Sequence, residues 1–569
     1  MKISLRCSRW IIFIALLLVA GGAFGWYKFF RVVPQEAFAN EEVRFKYGSI
    51  GAENTRGLPY WIWVVLPRVF PEYVPGPGGY KAFGLVWEEG KEIPAGFSKQ
   101  TIGFPRIANN CAICHTGTWR ASVDDKIHVV AGAPAHTTDV QGMIRFLAKC
   151  AADPRFNGQT ITAQIKREVD LSFIDSLLYR FVLVPFTKNA LLDQQKQFAW
   201  MNRPHWPDWG RGRDDPMNLT KYFMTSMPTD NTTGQADFPS VWNLGIRKGP
   251  GLYLNWSCDT PAVRSVLIDS GLGLGAAPDA KTPLDRLIWK FQRHDWFLKR
   301  MEELDNFLSS FPPPKYPFSV DAALAAQGRT IYAQQCASCH EVGGKYTNKP
   351  VPLAEIGTDR ERVDTWTQAA ADEANRRVKE FGIDRPNMDK IECYQSPPLD
   401  GLWMRAPYLH NGSVPTLRDL LEPVASRPAV FYRGYDVYDP VNVGFVTSGD
   451  EAKRVGWKHD VSERGNGNQG HTYGTTLQNQ EKNALIEYLK RSDARRVQPF
   501  FPCLLPVQIR LMMLSPVRSA PQRLPKSTYV APKTTSTRLL RWWALRFRVA
   551  AFAAPRFASD FFKRWPEKN

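Results

Sequence analysis

The chain has 569 residues, 44% of them hydrophobic and 22% charged, a globular composition over a length that fits two to four domains with large cores. Its formal net charge of +18 is uneven, because residues 501–569 alone carry 13 Lys/Arg against two acids. The basic balance of the main body therefore reads as solubility and speaks against nucleic-acid binding, while 19 Trp and 43 Pro point to a loop-rich fold with aromatic interiors and away from a plain helical bundle.

In chain order, Lys2, Arg6 and Arg9 precede an apolar run from Trp10 to Trp26, the pattern of an export signal. The expectation is an uncleaved membrane helix over 1–32, positive end inside and the rest exported. The protein would then be periplasmic and held at the inner membrane; secretion after cleavage is the alternative. Residues 57–90, rich in Pro, Gly and Trp, read as irregular structure around a core. Residues 141–153 and 159–185 have helical spacing of apolar positions. A long amphipathic helix is expected over 283–311, with Pro283 and Asp285 in its first turn, and "PPPKYPF" (312–318) breaks it. Residues 320–340 and 479–493 read as two further helices. The division expected is 1–32 signal or anchor, 33–311 and 312–495 two domains, and 496–569 a basic tail. That tail is either a membrane-facing segment or an incidental extension.

Two short stretches carry the chemistry. "NNCAICHTGTWR" (109–120) and "QQCASCHEVGG" (334–344) each hold Cys-x-x-Cys-His, the attachment signature of c-type haem. The two-residue gap puts both sulfurs on one turn for the two vinyl groups of a haem edge, and the following histidine faces the iron. A zinc site would want a second ligand pair nearby, and a redox dithiol has no use for the repeated histidine. Two covalently bound haem c groups follow, on Cys111, Cys114 and His115 and on Cys336, Cys339 and His340. Around the second motif, Gly328, Ile331 and Tyr332 precede Cys336, and Leu485, Tyr488 and Leu489 lie on the late helix. In a cytochrome c domain those two helices cross over a small residue. An internal repeat relates 238–267 to 396–421, each copy following one motif.

Of nine histidines, His471 in the loop "NGNQGHTYGTTL" is the first candidate for the far side of the second iron, with His410 in "APYLHNGSVPTL" the rival. A bis-His haem is suited to passing electrons. The first haem has no histidine between His205 and His294, and "SMPTDNTTGQADFPSVWN" (226–243) offers Asp230, Asp237, Phe238 and Trp242 instead. A five-coordinate iron under apolar side chains is the reading, with His128 and His136 open as distal groups. An apolar cap favours holding dioxygen intact, whereas peroxide cleavage calls for an acid–base group.

Taken in order, the two motifs, "PSVWN", "PLDGLWMRAPYLHNGSVPTL", "GNQGHTYG" and "ALIEYLK" resemble the bacterial di-haem cytochrome c peroxidase superfamily, and within it the rubber oxygenase (RoxA-like) branch, over roughly 53–492. The resemblance implies a mainly α fold of two cytochrome c-like domains with long irregular loops and few short strands. It implies an oxygen-bearing haem on His115 with Phe238 over it, Trp242 beside it, and a bis-His electron-transfer haem. It implies dioxygen-dependent cleavage of double bonds in an apolar, isoprenoid-type substrate. A di-haem peroxidase with an external redox partner protein, or a membrane-anchored electron carrier, are the alternatives. A calcium ion is a further candidate cofactor. Among the remaining cysteines one disulfide, such as Cys258 with Cys393, suits an oxidising compartment. "WGRGRDDPMN" (209–218) reads as a solvated turn, with arginines at haem propionates as the other reading.

Overall fold

In the computed structural model, which describes residues 5–276, 287, 289–290 and 293–491, the Pro- and Trp-rich stretch after residue 57 departs from expectation. It contains a helix, Tyr60–Val69. β-Branched and aromatic residues favour a helix only weakly by themselves, but Ile62, Trp63, Val65 and Leu66 are all buried here, and Trp63 stacks on Tyr80 with ring centroids 4.1 Å apart. Tertiary burial overrides propensity. The remainder is the expected irregular structure, with short 3-10 turns at Pro71–Tyr73 and Gly79–Phe83.

The other expected helices form with altered bounds. Val140–Ala152 is capped by Asp139. The 159–185 stretch is interrupted, as Gly158–Ile165, Phe173–Leu178 and a π-helical turn Tyr179–Leu183 that leads into Val184–Gln197. Ser172 caps the second of these segments by accepting from Asp175 N–H, which marks a fresh start where the periodicity suggested continuity. Of the 283–311 helix, His294–Ser310 is described, while Pro283 and Asp285 lie outside the described residues. So does the basic tail, 496–569. The first apolar run lies on a helix, Leu5–Phe29. No helix among the described residues is long and apolar enough to cross a membrane, so the expected spanning role of 1–32 has no support.

Residues Lys28–Arg496 form one compact unit. Helices dominate it. Its largest sheet is antiparallel, with strands Val32–Val33, Phe97–Ile102, Phe104–Asn109 and Leu58–Pro59 in that order. The other strands pair only in twos. The chain on either side of 311 shares its interior: one apolar cluster joins Trp119, Ala133 and Trp242 to Tyr332, Leu402 and Leu485. The Cys258–Cys393 disulfide forms and spans 135 residues.

Candidate haem centres

The strand Phe104–Asn109 runs straight into the first motif. Asn110 shapes the turn: its side-chain oxygen accepts from Ala112 N–H at 2.9 Å, and its amide donates to the carbonyls of Lys46 and Gly48. Cys111–Ile113 is thereby a capped 3-10 turn that places both thiols side by side. Gly96 (φ +89°) lies against it, where any Cβ would overlap the Ile113 backbone. The second motif grows from a helix. Ala322–Gln335, capped by Asp321, leads through Cys336 into the turn Ala337–His340. Gly328 is where this helix crosses Asn479–Lys490; a Cβ there would overlap the carbonyl oxygen of Ala484 and sit 2.9 Å from Tyr488 Cβ.

The internal repeat has a direct structural meaning. His115 Nδ1 lies 2.8 Å from the carbonyl oxygen of Pro239, and His340 Nδ1 lies 2.8 Å from that of Pro397. Both prolines open corresponding segments. In each a left-handed residue, Asn243 (φ +53°) or Gly401 (φ +60°), starts a 3-10 turn, Leu244–Arg247 or Leu402–Arg405. A ring N–H donated to a backbone carbonyl fixes tautomer and orientation and leaves Nε2 free for a metal. Desolvation pushes His115 down to about 4 and lowers His340 as well, so both imidazoles are neutral, the form that binds metal. Burial raises Cys111 to about 11 and Cys336 to about 12, which keeps them as thiols. Two thiols and one oriented imidazole on a single turn are the donor set that covalent haem needs, and each motif supplies it.

Across from His340 stands His471, with ring centroids 6.2 Å apart. That gap accommodates one ion between two imidazoles, given metal–nitrogen bonds of about 2 Å. His471 has φ +46°, an uncommon backbone held by its N–H to the Ile356 carbonyl at 2.8 Å and by Arg427, which donates to its carbonyl. Its pKa falls to about 3 through burial and then the neighbouring His340, and its Nδ1 is buried without a partner in the chain. His410 is engaged elsewhere. It stacks on Tyr394 at 4.1 Å, with the Tyr394 hydroxyl 3.0 Å from its Nε2.

No other imidazole among the described residues is in ring contact with His115. His128 stacks on Trp119, and His136 stacks on Phe445 with its Nε2 2.8 Å from the Thr118 carbonyl. Phe238 is buried and directly precedes Pro239, whose carbonyl meets His115. Trp242 reaches between the two motif regions. Its ring lies 3.4 Å from where a Gly132 Cβ would be, and Gly132 N–H bonds the His115 carbonyl at 2.8 Å. It lies 2.7 Å from where one on Gly401 would be, and its Nε1 donates to Asp400 O at 3.0 Å.

Residues 325–392 match the cytochrome c family and 393–432 match the family described as RoxA-like, cytochrome c-like. The protein y4iJ of Sinorhizobium fredii is 30% identical over 518 residues, covering 72% of this chain and 83% of that protein. The chain belongs to the RoxA-like c-type cytochromes. A second rhizobial protein, y4iM, is 36% identical over 166 residues, 25% of this chain and 38% of its own length. A RoxA-like cytochrome carries covalently bound haem c, and the matched span includes Cys336, Cys339 and His340.

Two features escaped the sequence reading. The "WGRGRDDPMN" segment is buried: Arg213 and Asp215 are inaccessible to solvent. Arg213 donates to Trp209 O and Asn466 Oδ1, and Arg211 to Thr137 O and Ala82 O. Backbone carbonyls from distant segments satisfy these arginines, a pairing that spacing cannot reveal. Asp214 is pushed up to about 7 by burial, with Arg362 opposing, and its charge acts on Cys114. For calcium, no group of three or more His, Cys, Asp or Glu that could hold a metal ion lies among the described residues.

Proposed function

We propose that this RoxA-like cytochrome is an exported di-haem oxidoreductase. Its first haem, on Cys111, Cys114 and His115, activates dioxygen against an apolar, isoprenoid-type substrate. Its second, on Cys336, Cys339 and His340, relays electrons. The observation that carries this reading is the inequality of the two histidine surroundings: His340 is matched by His471 across a 6.2 Å gap, and His115 by no imidazole among the described residues. When bound, the haem supplies the redox centre and, at an open face, the place where oxygen binds. The chain's own residues do the rest. Pro239 and Pro397 hold the proximal rings by their Nδ1 protons. His471, fixed by Ile356 and Arg427, closes the second centre. Trp242 gives a buried aromatic path between the two motif regions. Phe238, buried next to Pro239, is the apolar residue offered to the first haem.

Asp214 favours a second reading, a di-haem peroxidase served by an external redox partner protein. A carboxyl raised to about 7 beside the first motif can hold and release a proton near neutral pH.

The test is one preparation and four measurements. Pyridine hemochrome analysis should give two haems per chain, and carbon monoxide should bind one ferrous centre. Oxygen uptake with polyisoprene and turnover of peroxide then separate the two enzymes. One haem per chain, or two centres that both refuse carbon monoxide, overturns the proposal.

A further inference from the structure

Arg362 is the buried cation that the protein leaves without a partner. Only 5% of it is exposed, yet its Nε and Nη1 have no acceptor, and it forms no ion pair among the described residues. The other deeply buried arginines among the described residues each find at least one partner. Arg433 pairs with Asp237, Arg427 donates to the carbonyls of Leu420, Glu422, Asn468, Gly470 and His471, and Arg405 bonds Asp400. A guanidinium cannot shed its charge, and burying one without an anion is strongly unfavourable.

Its surroundings repeat the imbalance. The Arg362 Cα lies 2.9 Å from where a Cβ on Gly234 would stand, beside Gln235, whose Nε2 is buried without an acceptor. Thr358, four residues earlier, has a buried hydroxyl without a partner. The charge of Arg362 reaches Asp214 on the first-motif side and Tyr394 and His410 on the other. A buried guanidinium without a partner, with the unpaired donors of Thr358 and Gln235 on the adjoining segments, forms the complement of an anion. A haem carries two carboxylates at the edge away from its thioether bonds.

We propose that Arg362 anchors the carboxylate of a haem propionate, through the paired N–H geometry that guanidinium offers to carboxylates, with Thr358 and Gln235 as supporting donors. This rests on the di-haem reading above, and either haem is a source of that carboxylate.

The experiment uses the holoprotein with Arg362→Gln and Arg362→Lys. Hemochrome analysis comes first: a wild type with fewer than two haems sinks the parent reading, and this inference with it. With two haems present, spectroelectrochemical titration of Arg362→Gln should lower the midpoint potential of one centre and leave the other in place, because a positive charge favouring the ferrous state has gone. Arg362→Lys should fall between. The propionate bending band in the resonance Raman spectrum should shift with it. A shift confined to the carbon-monoxide-binding centre identifies the first haem as the source, and one confined to the low-spin centre the second. Unchanged potentials and Raman bands in either variant, with haem content intact, overturn the proposal. If Arg362→Gln does not accumulate, the Lys variant and its Raman bands decide by the same criterion.

Discussion

The first and second motif regions solve one problem with different materials. Cys111–His115 sits at the end of an antiparallel strand, shaped by the three hydrogen bonds of the Asn110 side chain. Cys336–His340 sits at the end of a helix that locks onto a second helix at Gly328. Both then orient the ring through a proline carbonyl at 2.8 Å. They part on the far side, where His471 faces His340 and no imidazole faces His115. A duplicated framework thus fixes the ligand it shares, and the unshared loops decide which centre is closed.

That contrast is open to direct attack. The largest effect expected is from His471→Ala, which should open the second centre and raise carbon monoxide binding from one ferrous haem per chain to two. His410→Ala should leave that stoichiometry unchanged, because its Nε2 is engaged by Tyr394. Next comes the bridge across the halves. Replacing Cys258 and Cys393 by Ala frees a loop of 135 residues and should cost about 2–4 kcal/mol in denaturant titrations. Gly328→Ala forces a methyl against the Ala484 carbonyl and should cost about 1–3 kcal/mol, with the second haem's low-spin band weakening before the first haem's spectrum changes.

The smallest effect is a slope. Asp214, raised from 3.8 to about 7 by burial, keeps its proton in the folded protein over a range where the unfolded chain has lost it. The folded state binds more protons there, so this group's contribution to stability is full below about pH 4 and is lost as pH rises towards 7. Asp214→Asn should flatten stability against pH across that window. An unchanged slope would place Asp214 in contact with water and remove it as a proton donor.

Much of the helical skeleton was legible because its apolar positions repeat at helical spacing, as in Val140–Ala152, Ala322–Gln335 and Asn479–Lys490. Tyr60–Val69 was not, since its run of aromatic and β-branched residues reads as loop or strand until burial against Tyr80 and the rest of the core stabilises the helix. The interruption of 159–185 was hidden for the opposite reason: exposed Phe173, Ile174 and Phe181 continue an apolar pattern that no core receives. Within the candidate sites, the repeat 238–267 and 396–421 was visible as text, but its purpose, a carbonyl behind each proximal histidine, depends on a contact across 124 residues in one copy and 57 in the other. Arg362 gave no signal at all, because "RERVDT" looks like a solvated helix turn.

The sequence alone determined the covalent chemistry: two cysteines with two residues between them and a histidine directly after the second must share a turn, whatever surrounds them. It also determined the crossing of the two cytochrome helices, since a glycine at that spacing suits little else. Tertiary structure decided which histidine stands opposite which, which arginines find carbonyls and which does not, and where Trp242 runs. Those outcomes depend on segments hundreds of residues apart meeting in a dry interior, where burial leaves imidazoles neutral and leaves an unmatched guanidinium calling for an anion.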